Sequence, residues 1–87
     1  MATEEQFNQA QEDVKTLTKR PDNMELLNLY AYFKQASTGD VQGKKPGMLD
    51  LKGRAKYEAW EHQKGMAKED AMGKYVDLVS ELLEKYK

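Results

Sequence analysis

Residues 29 to 60 read LYAYFKQASTGDVQGKKPGMLDLKGRAKYEAW, and the reading of this stretch decides the fold. Two aromatic-and-lysine segments with helical spacing flank a connection built from turn residues, Ser37-Thr38-Gly39-Asp40 at its start and Pro46-Gly47 near its end. Tyr30, Phe33 and Lys34 fall at i, i+3 and i+4, so they share one side of a helix, and Lys52 and Lys56 do the same four residues apart. Residues 44 to 56 hold Lys44, Lys45, Lys52, Arg54 and Lys56 against the single acid Asp50, a local excess of four in a chain whose net charge is −1. Positive charge is concentrated beside aromatic rings, an arrangement that suits a planar base carrying phosphate groups.

Working outward, apolar spacing predicts two more helices. Thr3 with Gln6 forms a capping-box pattern, and Phe7, Ala10, Val14 and Leu17 follow at helical intervals until Lys19-Arg20-Pro21 breaks the run. Asp22 with Glu25 repeats the pattern and opens the second helix, which carries Leu26, Leu27, Leu29, Tyr30, Phe33 and Ala36. Asp50 caps a third helix bearing Leu51, Ala55, Tyr57, Ala59 and Trp60 and ending near Gly65, where glycine can take the left-handed conformation. A fourth runs from about Ala67 to Tyr86 with Ala71, Met72, Tyr75, Val76, Val79, Leu82 and Leu83 inward. No Ser, Thr, Asp or Asn caps its start, and Gly73 inside it costs about 1 kcal/mol relative to alanine. The fold expected is all-α, a four-helix bundle with a long loop between helices two and three.

Composition narrows the function classes. With 87 residues and no cysteine, a single domain over residues 1–87 in a reducing, cytoplasmic setting is expected. The first six residues lack a basic start and an apolar run, and no stretch approaches the roughly 20 apolar residues of a membrane span. A net charge of −1 argues against a nucleic-acid coat, which needs a broadly basic surface. His62 is the lone histidine, so zinc has no ligand set. No Ser/His/Asp or Cys/His constellation and no glycine-rich phosphate loop is present. A binding protein without cofactor or metal is expected, not an enzyme.

Connection lengths bound the topology without choosing it. The short links between helices one and two, and three and four, favour antiparallel neighbours. The link from Ser37 to Leu49 is long enough, at roughly 3.3 Å per extended residue, to run back along a helix of about 15 residues. A parallel pair is thus allowed.

The residues Tyr30-Ala31-Tyr32-Phe33-Lys34-Gln35-Ala36, Gly39-Asp40, Lys45-Pro46-Gly47-Met48-Leu49-Asp50, Lys52-Gly53-Arg54-Ala55-Lys56 and Glu58-Ala59-Trp60 closely resemble the acyl-CoA-binding protein family, in register from Phe7 to Tyr86. The resemblance implies an up-down-down-up bundle in which helices two and three run the same way. It also implies a carrier of medium- to long-chain acyl-CoA esters. Lys34 and Lys56 match the family lysines that contact the phosphate on the adenosine 3′ position, although on spacing alone solvated surface lysines are the commoner case. Tyr30 and Phe33 match adenine and ribose contacts, with Tyr75 closing the site; read from spacing alone, all three rings are ordinary core residues. Lys15 and Lys52 match further phosphate contacts, with Arg54 less well matched, and the acyl chain is placed near Leu27 and Ala55. Phe33 stands where the family commonly has tyrosine, which removes a hydroxyl, and Tyr57 where many members carry tryptophan. Trp60 reads as a packing anchor. The implied partners are acyl-CoA esters and, transiently, acyl-CoA-using enzymes or membranes; a monomer that does not insert into membranes is expected. The competing reading is a helical protein-interaction module with a degenerate CoA site.

Overall fold

Side-chain caps set three of the four helix starts. The structure, a computed structural model, describes residues 3–86, so Met1, Ala2 and Lys87 lie outside the described residues. Helix α1 spans Glu4–Val14; the Thr3 hydroxyl accepts the Gln6 N–H at 3.1 Å while the Gln6 side chain accepts the Thr3 N–H at 2.9 Å. Helix α2 spans Asn23–Ser37 with the reciprocal pair Asp22 and Glu25 at 2.8 and 3.0 Å. Helix α3 spans Leu51–Glu61, and Asp50 accepts the Gly53 N–H at 3.0 Å. Helix α4 spans Lys68–Lys85 behind Ala67, which offers no side-chain cap. Glu69 and Asp70 in its first turn face the positive end of the helix dipole and stand in for one.

Two boundaries fall short of the apolar pattern. Regular α1 stops at Val14, where Lys15, Thr16 and Leu17 each donate their N–H three residues back and the Thr16 hydroxyl donates to the Asp13 carbonyl at 2.6 Å. Leu17 still packs on the core, so the periodicity continues past the helix. Regular α3 stops at Glu61, and tightened turns carry the chain to Gly65, whose φ of +91° is the left-handed conformation expected there.

Paired contacts fix the directions. Along α2 and α3 the partners advance together, Tyr30 with Lys56 and Lys34 with Trp60, so the two helices are parallel. Along α2 and α4 they run in opposite order, Phe33 with Tyr75 and Glu25 with Lys85, so these are antiparallel. Phe7 meets Tyr75 and, near the other end, Thr18 donates to the Tyr86 carbonyl, so α1 and α4 are parallel. The bundle is up-down-down-up.

Spatial order differs from chain order. Helix α4 packs between α1 and α2, and α3 packs on the far side of α2. The short links do reverse direction, yet α1 and α2 meet through Phe7 stacked on Phe33 and not helix to helix. Three interhelical steps of about 8–10 Å account for the 28 Å middle dimension of a Cα trace measuring 36 × 28 × 15 Å. The core joins Phe7 and Ala10 of α1, Leu29 and Ala36 of α2, and Ala71, Tyr75, Val79 and Leu82 of α4. Helix α3 contributes one buried residue, Trp60. Among the described residues there is no strand, and no helix is long and apolar enough to cross a membrane.

Candidate functional site

The parallel α2–α3 pair builds a crossed ladder. Tyr30 and Lys34 are one turn apart on α2, and Lys56 and Trp60 one turn apart on α3. Lys56 Nζ lies 5.4 Å from the Tyr30 ring centroid, and Lys34 Nζ lies 5.0 Å from the Trp60 centroid. Each ammonium therefore rests on the aromatic ring of the other helix, within the roughly 6 Å over which the ring quadrupole attracts a cation. Lys34 is half-buried and Lys56 exposed. Lys52 sits in the first turn of α3, exposed and in line with Lys56 one turn on.

Trp60 is more than a packing anchor. Its indole N–H donates to the Gly39 carbonyl at 2.8 Å, just past the end of α2, so it fastens α3 to α2 and supplies the face under Lys34. Gly39 takes φ +97°, and its N–H reaches the carbonyls of Lys34 and Gln35, which closes α2 in the manner glycine permits.

Gln35, fully buried, holds the same end of the molecule together. Its amide donates to Asp40 at 3.0 Å and to the Met66 carbonyl at 2.8 Å, while Asp40 also accepts the Gly65 N–H at 2.7 Å. The Gly65 N–H first and the Gln35 amide second hold the Asp40 carboxyl below its ordinary value. This clasp ties the ends of α2 and α3 to the start of α4. Sequence reasoning passed over it; a glutamine amid apolar helix positions was the available signal, because a buried amide needs partners.

The long loop is tethered along α3. The Tyr57 hydroxyl donates to the Gly43 carbonyl at 3.1 Å, and Lys45 pairs with Glu58 at 3.6 Å. Tyr57 thus has a use for its hydroxyl that a tryptophan could not reproduce at the same atom.

The remaining expected site residues are more scattered. Phe33, half-buried, belongs to a three-ring cluster, with its centroid 5.9 Å from Phe7 and 6.2 Å from Tyr75. Tyr75 is buried, and burial pushes its hydroxyl above the ordinary phenol value. Lys15 lies at the end of α1, 3.4 Å from Glu12. Leu27 and Ala55, both half-buried, lie in the first halves of α2 and α3. Among the described residues no group could hold a metal ion.

Comparison with known proteins places the chain among relatives along nearly its whole length. Residues 4–79 match the family model described as Acyl CoA binding protein. The Drosophila melanogaster protein named acyl-CoA-binding protein homolog is 58% identical over 82 residues, covering 94% of this chain and 95% of its own. Acyl-CoA-binding protein homolog 1 of Caenorhabditis elegans is 56% identical over 80 residues, covering 92% and 93%. The crystal structure of ACBP from Moniliophthora perniciosa superposes with a TM-score of 0.91 at 40% identity, covering 99% of this chain and 85% of that one.

Proposed function

The chain belongs to the acyl-CoA-binding protein family, and from that premise we propose a carrier of medium- to long-chain acyl-CoA esters whose 3′-phosphoadenosine head sits on the α2–α3 ladder. The observation that supports this placement is the pair of ammonium groups poised on two aromatic rings of one face. Adenine takes the face of Tyr30, and Lys34 and Lys56 swing from ring to 3′-phosphate. Each exchanges a cation–π contact of about 0.5–1 kcal/mol for a charge-assisted hydrogen bond of about 1.5–3 kcal/mol. Lys15 and Lys52 face the pyrophosphate, and Phe33 with Tyr75 forms the packed floor beside the ribose.

The acyl chain follows the apolar strip past Leu27 and Ala55. Each covered methylene contributes about 0.8 kcal/mol, so affinity rises with chain length until the strip is full. The amphiphilic thioester would otherwise enter bilayers or form micelles. The protein acts as a single acyl-CoA-binding domain, a cytoplasmic monomer without cofactor that catalyses no reaction and hands its ligand to enzymes or membranes.

Isothermal calorimetry with palmitoyl-CoA, free palmitate and free CoA tests this. The ester should bind far more tightly than either part. Equal weak binding of all three would refute the carrier and favour a helical interaction module.

A further inference from the structure

Helix α3 has one helical neighbour, α2, so its placement rests on few links, and at its C-terminal end these converge on two adjacent residues. The Trp60 indole N–H donates to the Gly39 carbonyl, and the Asp40 carboxylate, one residue on, accepts the Gly65 N–H at 2.7 Å and the Gln35 amide at 3.0 Å. Gly39 is bound to α2 as well, since its N–H reaches the Lys34 carbonyl at 3.2 Å. One glycine thus joins the backbone of Lys34 to the ring beneath its ammonium group. Glycine is the least constrained residue, and at φ +97° it holds this bridge only while its neighbours are fixed. Asp40 is the neighbour that fixes it.

The bonds of Asp40 run inward although the residue is exposed. They go to neutral N–H groups, one on the turn that follows α3 and one on the fully buried side chain of Gln35 in α2. A carboxylate accepts such bonds more strongly than a neutral oxygen does, and without it the buried Gln35 amide would keep an unmatched donor. The hydrogen bond of Tyr57 and the ion pair of Glu58 reach the loop at Gly43 and Lys45 and not α2. The separation of α2 and α3 at this end is therefore set by the Gly39–Asp40 corner.

That separation matters to a phosphate held by two lysines. Lys34 and Lys56 stand on different helices, and hydrogen bonds weaken steeply once donor and acceptor are misaligned, so a small splay of α3 loses one of the two bonds. We propose that Asp40 is a positioning residue for phosphate recognition: by fastening the end of α3 to the end of α2, it sets the spacing at which Lys34 and Lys56 converge on one phosphate dianion. Asp40 acts through the two lysines and not on the ligand. The ligand's identity rests on the carrier reading; the hold on Trp60 does not.

Calorimetric titration of wild type, Asp40→Ala and Asp40→Asn with palmitoyl-CoA and its 3′-dephospho analogue tests this. Asp40→Ala should weaken palmitoyl-CoA binding by about two- to tenfold and leave the dephospho ligand's affinity unchanged. Asparagine keeps an acceptor oxygen and should restore most of the loss. On a Lys34→Ala background Asp40→Ala should cost nothing further, because a single lysine has no partner to be spaced from. Trp60 is the only tryptophan, so its emission reads the end of α3 in the ligand-free protein and should shift to the red in Asp40→Ala. Equal losses with both ligands, an additive loss on the Lys34→Ala background, or an unshifted emission overturns the proposal. If Asp40→Ala does not fold, Asp40→Glu, which moves the carboxylate outward by one methylene, replaces it under the same criteria. A wild type that binds both ligands alike would refute the ladder as a phosphate site and the proposal with it. A wild type that tells them apart, beside an Asp40→Ala that does so equally well, refutes the proposal alone.

Discussion

Lys34→Ala changes both the free protein and the complex, and the two effects have opposite signs in the binding energy. In the free chain Nζ sits 5.0 Å from the Trp60 centroid, a contact of about 0.5–1 kcal/mol at a partly exposed site. In the complex the ammonium instead bonds the 3′-phosphate, at about 1.5–3 kcal/mol. Wild-type Lys34 forfeits the first to gain the second, so its net contribution to affinity is about 0.5–2.5 kcal/mol, or roughly 2- to 60-fold in Kd. Stability should fall by the ring contact alone, about 0.5–1 kcal/mol, which lowers Tm by roughly 2–8 °C for a domain of this size.

Calorimetric titration with palmitoyl-CoA and its 3′-dephospho analogue, beside thermal melts, separates these contributions. With the dephospho ligand the lysine has no reason to leave its ring, so wild type and variant should bind alike. Lys56→Ala, over Tyr30 at 5.4 Å, should follow the same pattern. Equal losses with both ligands would mean the lysines serve the pyrophosphate or nothing specific. An unchanged Tm would mean the ring contacts do not persist in solution.

Two further outcomes follow from named contacts. Phe33→Tyr should fold normally, because the ring is only half-buried in its cluster, and should tighten palmitoyl-CoA binding by up to about 1.5–3 kcal/mol; a gain of the same size with the dephospho ligand would place the hydroxyl elsewhere. The Tyr86 hydroxyl first, then Lys85, pulls the Glu25 carboxyl from 4.5 to about 2. Its stabilising contribution is therefore full above pH 4.5 and lost as pH falls toward 2. The melting-temperature gap between wild type and Glu25→Gln should shrink across that window, and a constant gap would count against the contact.

The helix starts were legible because caps are local chemistry. Thr3 with Gln6 and Asp22 with Glu25 are three residues apart, and each pair closes on itself whatever the rest of the chain does. Helix ends were less legible, since apolar spacing records what packs and not what is hydrogen-bonded. Leu17 keeps the rhythm of α1 and touches the core, three residues after the regular helix has ended. Neighbour relations were out of reach for a similar reason. A short link reverses direction, but it does not require the two helices to touch, and α4 takes the place between α1 and α2 that chain order would not assign to it.

The candidate site was legible in its residues and not in their pairing. Lys34 and Lys56 stand out through the family resemblance and not through spacing, and that each rests on a ring of the opposite helix depends on the parallel register of α2 and α3. Chain spacing cannot supply that register. Leu51 makes the converse case: counted toward the apolar face of α3, it is 75% exposed. Helix α3 has a single helical neighbour, so one stripe, anchored by Trp60, is all it can bury. Leu51, Lys52 and Lys56 stay exposed, while Arg54, Ala55, Tyr57 and Ala59 are half-buried. Where an apolar residue satisfies the helical pattern yet finds no neighbour, it stays exposed, because burial is set by how many elements pack on a helix and not by the spacing along it.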